Sequence, residues 1–132
     1  MPAPTKIVLH LADARAAREF FGKHLAGLPH ERLCVAHLDR QGRLLGETAL
    51  DGEPGQAAIP LRRIIADALA LDAEAMLMAH NHPCGTAKPS RNDLQTTRRL
   101  ADMADALGIR LQDHLIVLPD GRALSLRAVG LL

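Results

Sequence analysis

Two histidines and one aspartate follow a short apolar segment with the spacing of metal ligands. His80 and His82 come after the run 75–79, which has the composition of a buried strand, and Asp93 stands eleven residues after His82. On an extended chain, side chains two residues apart point to the same face, about 6.5–7 Å apart, so both imidazoles can reach one ion. Two histidines and a carboxylate leave a tetrahedral Zn²⁺ with an open position for water, which is the pattern of a catalytic zinc site.

The loop between the histidines and the aspartate leads into a predicted helix over residues 90–107. Ser90 and Asp93 have the Ser-x-x-acidic spacing of a capping box, so we predict that Ser90 caps this helix and that Asp93 lies in its first turn. The positive end of the helix keeps a carboxylate ionised, as a zinc ligand must be, so the cap and the ligand can share atoms. The hydroxyl of Ser90 could also donate a hydrogen bond to a developing oxyanion.

A zinc hydrolase also needs a group that accepts a proton from the attacking water. The candidates are four glutamates, Glu31, Glu47, Glu53 and Glu74. Glu53 and Glu74 are typical of solvated loops, and Glu47 is typical of the polar face of a strand. Glu31 precedes the first predicted strand and is best placed to reach the end of a neighbouring strand, although spacing alone does not choose among the four.

Several other polar residues have both a functional and a structural interpretation. Cys84, four residues after His80, offers a thiolate ligand, but a small residue in a tight turn is the favoured interpretation. His114, next to Asp113, is a candidate for orienting a ligand histidine, because metal-bound imidazoles donate their second N–H to a neighbouring group. A serine hydrolase is excluded because Ser90 lacks a Gly-x-Ser-x-Gly context. The remaining histidines are interpreted as surface or strand residues: His10, His24, His30 and His37.

These residues are carried by alternating helices and strands. Hydrophobic spacing, with Asp13 as a cap and Pro60 as a helix start, predicts helices over 14–26, 61–71 and 90–107. Strands are predicted over 33–38, 43–50, 75–80, 109–118 and 122–126, with the turn 39–42 joining the first two as a hairpin and 51–56 forming a mobile polar loop. Without a strict βαβ repeat, this order indicates an α/β sandwich around a mixed sheet in a single domain, residues 1–132.

Composition excludes several classes of function. The chain of 132 residues is 48% apolar with Phe20 and Phe21 as its two aromatic residues, so the core is aliphatic and base stacking on single-stranded nucleic acid is not expected. The net charge of +1 gives no support to nucleic-acid binding, and the arginines at 91, 98 and 99 fit a solvated helix face. Two cysteines, no signal peptide and no apolar run of about 18 residues favour a cytoplasmic protein without a membrane span.

The motif His80-x-His82-Pro83-x-Gly85, followed by Pro89-Ser90-x-x-Asp93, resembles the signature of JAB/MPN+ (JAMM) zinc metalloproteases. The segments 60–64, 79–83, 113–117 and 130–132 resemble the RadC-like branch more closely, and the likeness covers nearly the whole chain. It implies a JAB/MPN-like, cytidine-deaminase-like α/β/α sandwich with a mixed, mainly antiparallel sheet.

The resemblance also implies roles for individual residues. His80, His82 and Asp93 match the zinc ligands, Glu31 matches the acidic residue that holds the water, and Ser90 matches the serine that stabilises the oxyanion. Cys84 departs from the pattern, because serine is usual at this position. Longer RadC-like proteins carry an N-terminal helix-hairpin-helix region, whereas this chain begins directly with the catalytic-type domain, so a DNA-repair role does not follow from the family name.

Two hypotheses from different classes follow. The first is a zinc-dependent peptidase or isopeptidase with an unknown peptide or isopeptide substrate. The second is a RadC-like binding module associated with DNA metabolism that does not hydrolyse a substrate; the complete ligand set argues for the first. The tripeptide 80–82 does not indicate an HNH nuclease, whose residues are scattered along the fold, and the missing His-x-Glu and second cysteine exclude a zinc deaminase. The sheet edges are compatible with a homodimer.

Overall fold

Three helices and five strands form in the part of the chain that the structure, a computed structural model, describes, namely residues 11, 13–52 and 59–132. In chain order they are α1 (Ala14–Leu25), β1 (Arg32–Leu38), β2 (Leu44–Asp51), α2 (Leu61–Ala70), β3 (Ala75–Asn81), α3 (Arg91–Ala106), β4 (Arg110–Val117) and β5 (Ala123–Ser125). Every predicted element is present, and no predicted boundary differs from the observed one by more than one residue. The predicted loop 51–56 lies mostly outside the described residues.

The helices begin where the sequence offers a cap. The Asp13 side chain accepts a hydrogen bond from the backbone N–H of Arg15 at the start of α1. Pro60 occupies the position before α2, and Ser90 forms a complete capping box at the start of α3. Gly27 follows α1 and Gly108 follows α3, both with positive φ, the left-handed conformation that commonly ends a helix.

The sheet places β3 at its centre. The strand order is β2-β1-β3-β4-β5, in which β1 is antiparallel to both β2 and β3, β3 is parallel to β4, and β4 is antiparallel to β5. The hairpin predicted at residues 39–42 joins β1 to β2, and α3 forms the crossover between the parallel strands β3 and β4. The sheet is therefore mixed and mainly antiparallel, as predicted.

Helices cover both faces of the sheet, which gives the expected α/β/α sandwich. One buried cluster lies between α1 and the sheet and includes Phe21, Leu25, Ala36, Leu77 and Val117. The other lies between the sheet and helices α2 and α3 and includes Val35, Ile64, Met78, Leu100 and Leu111. Because alternate strand residues point to opposite faces, β3 is buried along its whole length.

Among the described residues, none of the helices combines the length and the apolar character needed to cross a membrane. The longest, α3, has 16 residues, several of them charged.

Candidate metal centre

His80, His82 and Asp93 converge at the carboxyl end of β3. The Nε2 atoms of the two histidines lie 2.8 Å apart. The Oδ2 atom of Asp93 lies 3.6 Å from Nε2 of His80 and 3.8 Å from Nε2 of His82. Both imidazoles are buried and the carboxylate is partly exposed, so the donor atoms face a point at the edge of the protein.

Local backbone structure explains this convergence. His80 lies in β3, and the N–H of His82 donates to the carbonyl of Val117, which keeps the chain beside β4 for one more residue. A turn then reverses the chain, with the N–H of Gly85 donating to the carbonyl of His82 and Gly85 at a φ of 85°. The loop therefore folds back and brings the first turn of α3, with Asp93, over the two histidines.

The donor separations fit a tetrahedral divalent ion. Four donors around Zn²⁺ with bonds of about 2.0–2.1 Å lie about 3.3–3.4 Å from one another. The three observed separations, 2.8, 3.6 and 3.8 Å, bracket that spacing and need changes of only about 0.5 Å. Two nitrogen donors and one oxygen donor also match the ligand types that Zn²⁺ takes in catalytic sites.

Asp93 belongs to the helix cap and to the ligand cluster at the same time. Its N–H donates to Oγ of Ser90, and its Oδ2 accepts from the N–H of Ser90, each at 2.9 Å. Burial acts to raise the pKa of Asp93, but the side chain of His80 and the hydrogen bonds from Ser90 outweigh it and hold the pKa well below its ordinary value. The carboxylate is therefore ionised, and the predicted cap is confirmed.

Each imidazole is also held on the side away from the cluster. Nδ1 of His82 lies 2.8 Å from the carbonyl oxygen of Thr86. Because a carbonyl oxygen can only accept a hydrogen bond, Nδ1 carries the proton, and Nε2 keeps the lone pair that can bind a metal. Nδ1 of His80 lies 2.6 Å from Nε2 of His114, whose Nδ1 lies 2.7 Å from Oγ1 of Thr97.

The burial of His114 keeps its ring neutral, and one of the two neutral tautomers orients His80 for metal binding. Burial is the largest cause that lowers the pKa of His114, to about 3, so the ring is neutral near pH 7. A neutral His114 can accept from Nδ1–H of His80 and donate its own Nδ1–H to Thr97. This arrangement leaves Nε2 of His80 unprotonated and directed at the cluster. The contact predicted for His114 is therefore present.

The structure separates the four glutamates that were candidates for proton transfer. Glu47 is exposed and lies 3.7 Å from His24 of α1, on the other face of the sheet. Glu74 pairs with Arg40 at 3.1 Å and precedes β3, so the full length of that strand lies between it and the histidines. Glu53 lies outside the described residues. Glu31 directly precedes β1, beside the end of β3 that carries the histidines.

The other predicted residues that the structure describes have ordinary environments, and His10 lies outside the described residues. Cys84 is exposed within the turn after His82, and the metal-ligand cluster found among the described residues does not include it. His24 and His30 are exposed, whereas His37 is fully buried in β1. The three arginines of α3 singled out above are exposed, as expected of a solvated helix face: Arg91, Arg98 and Arg99.

Two residues that contact the site were not predicted from the sequence. Thr97 occupies a buried position of α3 and could be interpreted only as part of the apolar stripe until its bond to His114 was seen. Asn81, between the two histidines, is 2% exposed and hydrogen-bonds to the backbone of residues 30 and 32. A buried asparagine must satisfy both ends of its amide, and that requirement was the available signal.

The fold and the donor cluster together define a JAB-like α/β domain with a candidate metal site. Residues 11–131 match the family described as the RadC-like JAB domain, and the chain belongs to that family. It is 40% identical over 130 residues to a UPF0758 protein of Paracidovorax citrulli, and 37% identical over 123 residues to UPF0758 proteins of Porphyromonas gingivalis and Rhodobacter capsulatus.

These relatives are longer than the chain. The matches cover 98%, 92% and 92% of this chain but 54%, 54% and 57% of the respective relatives. The chain therefore spans about half the length of the curated relatives it matches.

Proposed function

We propose that this chain is a zinc-dependent hydrolase of the JAMM type that cleaves peptide or isopeptide bonds. The observation that carries the proposal is the convergence of Nε2 of His80, Nε2 of His82 and Oδ2 of Asp93 at spacings that suit one divalent ion. Three protein donors leave a tetrahedral ion one position for water, which structural zinc sites do not.

A bound Zn²⁺ would supply Lewis acidity, lowering the pKa of a coordinated water from about 15.7 to about 7 and polarising the substrate carbonyl. His80 and His82 would hold this ion through their Nε2 atoms, with Nδ1 of His80 facing His114 and Nδ1–H of His82 directed at the Thr86 carbonyl. Asp93 would contribute a negative charge that partly offsets that of the ion.

Glu31 acts as the general base in this proposal. Its carboxylate accepts a proton from the attacking water and then delivers that proton to the leaving amine. Support comes from its place before β1, next to the carboxyl end of β3, and from the remote positions of Glu47 and Glu74. The likeness of Glu31 to the acidic residue of the family motif points the same way.

Ser90 stabilises the oxyanion in this proposal. Its Oγ already accepts the N–H of Asp93, so the hydroxyl proton remains as a donor for a second partner. Ser90 is exposed and adjoins the carboxylate through the capping box, so a substrate carbonyl can approach it from solvent.

The first test is the metal content of the purified protein, measured by mass spectrometry before and after addition of Zn²⁺. We expect about one zinc per chain, lost in the double variant His80→Ala/His82→Ala. The matched control is His24→Ala/His30→Ala, which also removes two histidines but from exposed positions outside the cluster. Absence of bound zinc in the unmodified chain would overturn the proposal and favour the binding module associated with DNA metabolism.

The second test separates metal binding from catalysis. Glu31→Gln should keep the zinc and abolish hydrolysis in a screen of peptide and isopeptide substrates, with Glu47→Gln as the control on the opposite face. A Glu31→Gln protein with full activity would remove Glu31 from the mechanism.

A further inference from the structure

We propose that Asn81 is the positioning residue for Glu31. Its side-chain amide binds the backbone on both sides of that glutamate and so holds Glu31 against β3, the strand that leads to His80 and His82. The inference rests on the proposed function, because it assigns to Asn81 a role in the placement of the general base. The observation that carries it is a pair of hydrogen bonds from one buried amide to the two residues that flank Glu31.

The two contacts are short, and each end of the amide has one hydrogen-bond partner. Oδ1 of Asn81 accepts the backbone N–H of Arg32 at 2.7 Å, and Nδ2 donates to the backbone carbonyl of His30 at 2.8 Å. Asn81 is 2% exposed, so water competes poorly for these groups. An amide side chain offers a donor and an acceptor side by side, and it imitates the peptide group of a neighbouring strand.

The side chain of Asn81 continues the hydrogen bonding between β1 and β3 beyond the last pair of backbone residues. The pairing of β1 with β3 runs from Leu38–Ala75 to Leu33–His80. Past that point the backbone of His82 is bonded to Val117 of β4. The side chain of Asn81 supplies the next link, so β1 stays attached to β3 at the level of the two metal-ligand histidines.

The hydrogen bonds of Asn81 hold Glu31 beside the end of β3 that carries His80 and His82. The paired residues end at Leu33 opposite His80, and the Asn81 side chain bonds to the backbone of His30 and Arg32, so Glu31 lies between these two anchored residues. Leu33 packs on the sheet face covered by α2 and α3, and alternation puts Glu31 on that face as well. The Glu31 carbonyl also accepts the N–H of Gly52 at 3.0 Å, which fixes the segment from its other side.

The ligand cluster does not need Asn81 for its own geometry. His80 is held by His114, His82 by the Thr86 carbonyl, and Asp93 by the cap with Ser90. Loss of the Asn81 amide therefore releases Glu31 while it leaves the metal ligands in place.

The test uses Co²⁺ bound in place of zinc, and its visible spectrum is recorded against pH. The spectral midpoint reports ionisation of a water on the metal, and a carboxylate hydrogen-bonded to that water changes the midpoint. We expect Glu31→Gln to shift the midpoint, Asn81→Ala to shift it in the same direction by a comparable amount, and both to bind one Co²⁺ per chain. In the double variant, the second substitution should add no further shift, because Asn81 acts through Glu31.

Two variants of β1 test the inference even if Asn81→Ala does not fold: the first removes the same hydrogen bond from its other partner, and the second keeps that bond as a control. Arg32→Pro deletes the N–H that Asn81 accepts, at the first residue of β1, where proline is tolerated. Arg32→Ala keeps that N–H and removes only the side-chain pair with Asp51. The proline variant should shift the cobalt midpoint as Asn81→Ala does, and the alanine variant should not.

The outcomes distinguish this inference from the proposed function. If Glu31→Gln leaves the cobalt midpoint unchanged, Glu31 does not contact the water and the proposed mechanism fails with the inference. If Glu31→Gln shifts the midpoint but Asn81→Ala and Arg32→Pro do not, the mechanism stands and Asn81 is only a structural residue. An additive shift in the double variant would also overturn the coupling.

Discussion

Nε2 of His114 lies 2.6 Å from Nδ1 of His80, and this contact joins β4 to the candidate metal site on β3. His114 has no exposed surface, and its remaining nitrogen is bonded to Thr97 of α3. A residue 34 positions away in the chain therefore contacts the nitrogen of His80 that points away from the candidate metal site.

Replacement of His114 should weaken metal binding without removing a ligand. His114→Leu deprives Nδ1–H of His80 of its acceptor, and we expect zinc affinity to fall by about 10–100-fold. His114→Gln keeps an oxygen acceptor near the position of Nε2 and should retain most of the affinity. Competition with a chromogenic chelator measures both constants. Equal affinities in the two variants would contradict an orienting role for His114.

Replacement of the Asp93 carboxylate by an amide should preserve the stability of the fold but weaken metal binding. In Asp93→Asn the side-chain oxygen can still accept the N–H of Ser90, so the thermal midpoint of the metal-free protein should stay close to the original. The negative oxygen ligand is lost, so zinc should bind much more weakly. Asp93→Ala should lose both properties. Calorimetry with and without zinc compares the three proteins.

Ser90 should contribute to stability through its cap in addition to any role in catalysis. Ser90→Ala removes the acceptor for the N–H of Asp93 and should cost about 1 kcal/mol in the free energy of unfolding, whereas Ser90→Gly should cost only about a few tenths. Denaturant titration of the metal-free protein measures this difference. Since both variants lack the hydroxyl, equal losses of hydrolytic activity would assign the activity to the hydroxyl and not to the cap.

His37 should make the protein sensitive to mild acid. Burial lowers the pKa of His37 from the ordinary value of 6.5, with Asp67 acting in the opposite direction. Below that value the unfolded chain takes up a proton that the folded protein does not, so the free energy of unfolding falls as the pH falls. Above it both states are neutral at this residue, and His37 adds no pH dependence.

The variant His37→Gln tests this prediction because it preserves the donor to Thr48 and does not titrate. Nε2–H of His37 donates to Oγ1 of Thr48, whose hydroxyl donates to Asp67, and Nδ1 has no partner among the described residues. Urea titrations between pH 7 and 5 should show a flatter dependence for His37→Gln than for the unmodified chain. A chelator in every sample keeps the metal out of the comparison.

Local patterns in the sequence were sufficient to predict the helices and strands and the residues of the candidate metal site. Caps at Asp13 and Ser90, the glycines after α1 and α3, and the alternation of apolar residues depend on neighbours within a few positions. The pairing of His80 with His82 follows from strand geometry alone, and Asp93 follows from the helix that must begin at Ser90. These predictions agree with the structure because they need no knowledge of which strands are neighbours.

The contacts between distant elements could not be obtained in this way. The position of β3 between β1 and β4 depends on packing against both helical layers, and it decides that His114 meets His80 and that Asn81 meets residues 30 and 32. Asp113-His114 was identified as a candidate partner from residue types, but Thr97 and Asn81 carry no local sign of their bonds. Their roles follow from strand order.

The three side chains of the candidate metal site all lie within residues 80–93, whereas Arg32, a partner of Asn81, is 49 positions away along the chain. Closing the short loop between the ligands costs little conformational entropy, and docking β1 requires a much longer loop. The segment 80–93 can therefore bring its three donor atoms together at a lower entropic cost than the docking of β1 requires. Under the proposed function, binding of a metal by this segment and placement of Glu31 beside it are separate requirements, so a chain that binds the metal need not be a competent hydrolase.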